Sequence, residues 1–181
     1  IGNILGGYSH QNSQRKRTFS IDSPISKINV NTIQGWNFDL GINYSKSFDK
    51  ESTRRLTSSF GVNYGFSEEV LRPTFVLSYR ANRINNLGFT LRAGRAVSQF
   101  NRLEPIGESL NTILTYFFRY NYLKAYDREY ISLAMRRDLG NVFGLNTSLS
   151  YEQRSPLINT YFSSVFNKES QEFTSNDPLN P

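Results

Sequence analysis

A single histidine, no cysteine and a scatter of arginines make up the reactive inventory of this 181-residue chain. Without cysteine there is no disulfide framework, no thiolate metal site and no thiol nucleophile. A Ser-His-Asp arrangement would have to use His10. That residue sits in the polar run Ser9-His10-Gln11-Asn12 and reads as a solvated loop residue. Hydrolysis at a metal needs clustered His, Asp and Glu, which one histidine and one acid inside a strand do not supply. No glycine-rich phosphate loop is present. The expectation is a protein that is not an enzyme, with no catalytic, cofactor-binding or metal-binding residues.

The arginines are the constellation that remains. The net charge is +6, and 15 of the 21 cations are Arg. They are scattered along the chain rather than clustered, which argues against nucleic acid as a partner. Four of them, Arg80, Arg92, Arg119 and Arg136, fall on the small polar face of four expected strands. They read as lumen-facing basic residues. Either they pair with acids and brace a polar interior, or they form an anion-preferring wall or a docking surface for a plug.

What would position them is a set of β-strands. Strict two-residue alternation puts successive side chains on opposite faces. Trp36, Phe38, Leu40, Ile42 and Tyr44 alternate with Asn37, Asp39, Gly41, Asn43 and Ser45. Leu56 to Phe66 repeats the pattern. Weaker copies are expected at Thr74–Arg80, Leu87–Ala93, Leu114–Asn121, Ile131–Arg136 and Phe143–Tyr151, with no segment competing at helical period. Turn-rich breaks separate them at 47–53, 67–72, 82–86, 127–129 and 138–141. A longer connection spans about 97–111. Residues 1–34 form a leading segment with one possible strand near Ile28–Ile33, and residues 35–152 hold seven antiparallel strands. Residues 153–181 read as a polar loop or tail, possibly starting a further strand.

Alternation does not say which face meets the surroundings. The acids fall in the breaks, with Asp39 alone inside a strand, and the polar faces carry Gly, Ser, Thr and Asn rather than the Lys and Glu of a water-facing sheet. Trp36, Tyr44, Tyr64, Tyr79, Tyr120 and Tyr151 lie towards strand ends, where interfacial aromatic girdles belong. The strands have the length that crosses a bilayer at a tilt. Mean hydropathy of −0.50 is compatible with this, because a barrel strand shows lipid only every second residue. The fold expected is therefore all-β, an antiparallel transmembrane β-barrel with about seven or eight strands visible. The alternative is a soluble lipocalin-like barrel that binds an apolar ligand inside.

Several segments go beyond pattern. They are Asn31-Thr32-Ile33-Gln34-Gly35, Gln99-Phe100-Asn101 through Pro105-Ile106 to Asn111, Asn121 to Tyr126, and Tyr151 with Arg154-Ser155-Pro156-Leu157 and Asn159-Thr160. In this order, over about residues 28–162, they resemble a Bacteroidota outer-membrane family. Its members carry a carboxypeptidase-regulatory-like domain followed by a barrel of unknown function. The resemblance implies a bacterial outer-membrane location and no catalytic residue. It also makes the chain an incomplete segment, since single-chain bacterial barrels have an even strand number. The expected partners are the lipid bilayer and the remaining strands of the same barrel or another envelope protein. The expected role is transport or envelope scaffolding, with no cofactor.

Overall fold

The computed structural model of the chain describes residues 6–49, 51, 53–82, 84–100, 107–120, 124–140, 142–163, 165 and 175–176. Among the described residues it is all-β apart from one α-helix and short 3-10 turns. The elements are β1 (Tyr8–Asn12), β2 (Arg17–Ile21), β3 (Ile28–Asn31), β4 (Gly35–Ser47), β5 (Arg55–Gly65), β6 (Val70–Arg80), β7 (Gly88–Gln99), α1 (Glu108–Phe118), β8 (Ala125–Leu139) and β9 (Phe143–Pro156). Nine strands form one antiparallel sheet in the order β1-β2-β4-β5-β6-β7-β8-β9, and β3 pairs with the start of β4 beside β2. The described sheet is open, with β1 and β9 at its edges.

The ladder confirms the alternation. Leu40 lies opposite Val62, Phe60 opposite Ile42 and Phe75, and Leu91 opposite Leu77 and Leu133. Cross-strand partners share a face, so one face carries the large apolar side chains continuously from β4 to β9. The other carries Asp39 opposite Asn63, Asn43 opposite Ser59, and Ser78 opposite Thr90.

Four expectations are corrected. Residues 108–118 are helical, so the expected strand Leu114–Asn121 does not exist over its described residues; Asn121 itself lies outside them. The alternating residues of that stretch also satisfy the helical spacing Leu110, Ile113, Leu114, Phe117, and Phe117 breaks the polar parity. The expected break at 127–129 lies inside β8, so Asp127, Glu129 and Asp138 are strand residues, as is Glu152 in β9. The leading segment forms three strands rather than one. His10 is a strand residue facing Phe19, while Arg15 and Lys16 lie in the first hairpin turn and Arg17 opens β2. Finally, β9 runs on to Pro156, past the expected end at Tyr151.

The hairpins at 13–16, 48–54, 81–87 and 140–142 all lie at one end of the sheet. The β3–β4 turn, the β5–β6 turn and the 100–124 connection lie at the other. Buried residues collect at this second end: Val30, Ile33, Ala125 and Tyr126 are the buried hydrophobics among the described residues, beside Thr32, Gln34, Arg72, Thr115 and Asp127. Ile33 from the β3–β4 turn packs with Ala125 of β8, so the sheet curls until its two sides meet there. The segment after β9 fastens this end. Thr160 and Tyr161 donate their N–H groups to the Thr32 carbonyl at 2.8 and 3.0 Å. The Thr32 hydroxyl donates to Asn159 Oδ1 at 2.7 Å.

Gly94 permits the curl. Its φ is +152°, and a Cβ there would stand 2.5 Å from the Pro73 carbonyl oxygen. Pairing of β6 with β7 stops at Thr74–Gly94, while β7 stays paired with β8 down to Gln99–Ala125. Beyond Gly94 the two strands leave β6 and close over the polar face.

The β4–β5 turn is held by Asp49. Its carboxylate accepts the Thr53 hydroxyl, the Thr53 N–H at 2.7 Å and the Arg54 N–H at 2.9 Å. These bonds, the Thr53 hydroxyl foremost, hold its pKa down at about 2 against an ordinary 3.8. A depressed carboxylate contributes stability that is full above its unfolded pKa and lost as pH falls through the folded one. Amide exchange protection of Thr53 and Arg54 should therefore hold at pH 5 and above and fall away between pH 3.8 and about 2. Asp49→Asn should lack that acid transition; an unchanged profile in the variant would contradict the assignment.

Candidate functional site

The concave polar face encloses a cavity of about 520 Å³ beneath the closed end. Asp39 and Gly41 of β4, Gly61 and Asn63 of β5, and Thr74 of β6 form its sheet wall. Glycine and small polar residues at these alternate positions leave the space open. Lys27 and Asp22 come from the segment between β2 and β3, Arg95 and Gln99 from β7 beyond Gly94, and Asn111 from α1. Asp22 lies across Gly41 and accepts a hydrogen bond from Asn43 Nδ2 at 3.0 Å. The wall thus holds both signs of charge, Asp22 and Asp39 with Lys27 and Arg95.

An ion-pair cluster seals the cavity's side of the closed end. Arg72 is 1% exposed; it grips both oxygens of Glu68 and reaches Asp127 from Nε at 3.2 Å. Arg95 donates to the same Asp127 at 2.5 and 2.8 Å and approaches Glu129 at 3.6 Å. Two guanidiniums thus clamp one carboxylate between strands β6, β7 and β8. Planar five-donor forks suit this bidentate geometry, which lysine would not reproduce.

Helix α1 closes the same end with an inverted surface. Asn111 and Thr115 are buried, and Thr112 Oγ1 accepts the Val30 N–H at 3.0 Å. Leu110, Ile113 and Phe117 are exposed. Tyr116 meets Trp36 edge-on at 5.4 Å between centroids, so the outer surface of the helix continues the apolar face of β4.

Of the four arginines singled out in the sequence, the structure brings two together. Arg80 and Arg136 are both paired with Gly88, one from each side, and share a second, shallower pocket of about 300 Å³ at the open end. Arg92 is on the same strand face further down, between Val76 and Ser132. Arg119 ends α1 with φ 62° and belongs to no strand, so parity does not place it in a lumen. Of the carboxylates in the connection at about 97–111 that could balance these arginines, Glu104 and the side chain of Glu108 lie outside the described residues. The sequence reading missed Arg72, Arg95, Glu68 and Asp127. The available signal was a carboxylate four residues before Arg72 together with charges inside an apolar run at 125–135.

The cavity is lined by amides and balanced charges, and among the described residues no group of three His, Cys, Asp or Glu could hold a metal ion. No helix among them is long and apolar enough to cross a membrane, which has no bearing on strands. No curated protein and no solved structure matches the chain. A family model does match, and it covers residues 2–181: the chain belongs to the family of unknown function DUF5686, as its C-terminal domain.

Proposed function

We propose that this chain is part of a bacterial outer-membrane β-barrel with a polar lumen and a non-catalytic role in transport or envelope scaffolding. The observation that carries the reading is the inverted distribution of apolar surface. Among the described residues four hydrophobics are buried, whereas Phe60, Leu71, Phe89, Leu133, Leu149 and Tyr151 on the apolar strand face stand between 40% and 77% exposed. A lipocalin-like barrel would turn that face inward around its ligand. Here the inward face is Asp39, Asn63 and Thr74, and an exposed apolar face of this extent needs lipid rather than water. The outward apolar stripe of α1 points the same way. The resemblance described above adds a Bacteroidota envelope and a carboxypeptidase-regulatory-like module preceding the barrel. The open edges of β1 and β9 call for further strands, from the same protein or an envelope partner.

The single tryptophan supplies the test. Trp36 is on the apolar face at the start of β4, half-exposed beside Tyr116. After dilution from urea into phosphatidylcholine vesicles, its emission should shift to the blue and be quenched by lipids brominated on the acyl chain near the headgroup, as for an interfacial aromatic. A protein that folds without detergent or vesicles, with Trp36 untouched by brominated lipid, would overturn the reading.

A further inference from the structure

The groups on the wall of the larger cavity differ in what already holds them. Arg95 is committed to Asp127. Gln34 uses both ends of its amide, accepting from Asn31 Nδ2 at 3.1 Å and donating to Asn63 Oδ1 at 2.6 Å. Asn63 stands opposite Asp39 and hydrogen-bonds its carboxylate. This directed chain of amides fixes Asp39 at the cavity wall. Asp22 is fixed by Asn43, with its second oxygen lying over Gly41. Neither carboxylate is in an ion pair among the described residues. Lys27 acts on Asp39 electrostatically from beyond ion-pair distance.

Asn37 adds an open buried amide to these carboxylates. It is 3% exposed and lines the cavity from the same strand face as Asp39. The one hydrogen bond of its side chain is a long one, from Nδ2 to the Gly35 carbonyl at 3.4 Å. Its Oδ1 accepts nothing among the described residues, although a buried amide is normally satisfied at both ends. The open groups are therefore acceptors, Asp22, Asp39 and Asn37 Oδ1, with Lys27 as the uncommitted cation beside them. Acceptors of this kind call for a donor that carries positive charge. Among the described residues no aromatic side chain lines the cavity, so a quaternary ammonium, which takes an aromatic cage, does not fit. A primary ammonium, with three N–H donors, does. Asp22 lies over Gly41, two residues from Asp39, which sets the two carboxylates roughly 7 Å apart at ~3.4 Å of strand rise per residue. Two ammoniums on one short carbon chain can span that spacing.

We propose that the cavity is a binding site for a small diamino acid, with its two ammonium groups on Asp22 and Asp39, one of them shared with Asn37, and its carboxylate on Lys27. The charges complement each other: two carboxylates and one ammonium on the wall meet two ammoniums and one carboxylate on the ligand. The volume of about 520 Å³ lies within the range of small-molecule pockets. The inference rests on the polar face being the lumen of the barrel proposed above, and it supplies the transport reading with a substrate class.

The test uses the full chain refolded into phosphatidylcholine vesicles, with radiolabelled L-lysine as the probe and equilibrium dialysis as the readout. Saturable binding with a Kd of ~1 mM or below is expected. Norleucine lacks the second ammonium and cadaverine lacks the carboxylate. Each should compete roughly tenfold more weakly than lysine, as for the loss of one charge-assisted contact, and glutamate should not compete. Asp22→Asn and Asp39→Asn should each weaken lysine binding roughly tenfold or more. Asp49→Asn, the same substitution at the hairpin end, should leave it unchanged. No saturable lysine binding, competition by glutamate, norleucine or cadaverine equal to that of lysine, or an affinity untouched in both cavity variants would overturn the inference. The ligand series on the unsubstituted protein decides even where a variant fails to insert. Quenching of Trp36 by brominated lipid in the same vesicles reads the barrel separately. Quenching without lysine binding removes the inference alone; no quenching removes the barrel reading, and the inference with it.

Discussion

Arg72→Met is expected to lower folding stability by about 3–5 kcal/mol, the range for breaking a buried ion pair from one side. The arginine side chain is 1% exposed, and its partners Glu68 and Asp127 are nearly as enclosed. Removing the guanidinium strands a carboxylate at Glu68 that the β5–β6 turn holds in place. It also takes from Asp127 one of its two clamping cations, leaving Arg95. The cost comes from the charges left behind rather than from the lost attraction. Glu68→Gln/Arg72→Met should therefore be more stable than Arg72→Met alone. Arg72→Lys should fall between Arg72→Met and the unsubstituted protein, because one ammonium cannot serve Glu68 and Asp127 with parallel bonds. Urea titration of the vesicle-inserted protein reads all three. A midpoint for Arg72→Met equal to that of the unsubstituted chain would show that the cluster does not hold β6 against β8.

Leu40→Arg is expected to cost ~2–4 kcal/mol if Leu40 lies near the bilayer midplane, because the new charge would face hydrocarbon. Asn43→Arg, three residues along the same strand, should be much milder. Asn43 lies on the opposite face, and its side chain already touches Asp22, so an arginine there gains a carboxylate partner and a wet cavity. The comparison keeps the strand and the incoming arginine constant and moves the charge to the opposite face, three residues along. Equal costs for the two variants, measured by urea titration in vesicles, would place both faces in similar surroundings and count against a lipid-facing sheet.

The long strands were legible because one face of each is apolar and the other small and polar. Where both parities carry apolar residues, the signal fails. Residues 114–118 read as a strand because Leu114, Tyr116 and Phe118 alternate, yet the helix uses Leu110, Ile113 and Phe117, with Asn111 and Thr115 turned inward. The short strands β1 and β2 were missed for the opposite reason. They are polar on both sides apart from Tyr8, Phe19 and Ile21; β2 gains order from pairing with β4, and β1 from pairing with β2, rather than from their own pattern. At the site, Arg80 and Arg136 were placed on one face correctly, because their strands alternate cleanly. The Arg72 cluster was hidden by a rule that holds for isolated charges. Asp127, Arg128 and Glu129 look like a turn in one dimension. They become strand residues once Arg72, Arg95 and Glu152 supply their partners from elsewhere in the chain.

The order of strands in the sheet also gives folding a direction. Apart from the β2–β4 junction, each strand along the path pairs with its successor in the chain, so most of the ladder can form hairpin by hairpin on a timescale of about 1–10 μs for each unit. The bonds of Asn159 and Thr160 to Thr32 are of another kind, since they join residues 127 or more positions apart. Closing so long a loop costs entropy that no local contact offsets, and contacts of this separation slow folding. The fastening at the closed end must therefore wait for the curled sheet to bring its two sides together. It is the last part of the molecule to form and, by the same reasoning, the first to open, ahead of the central strands.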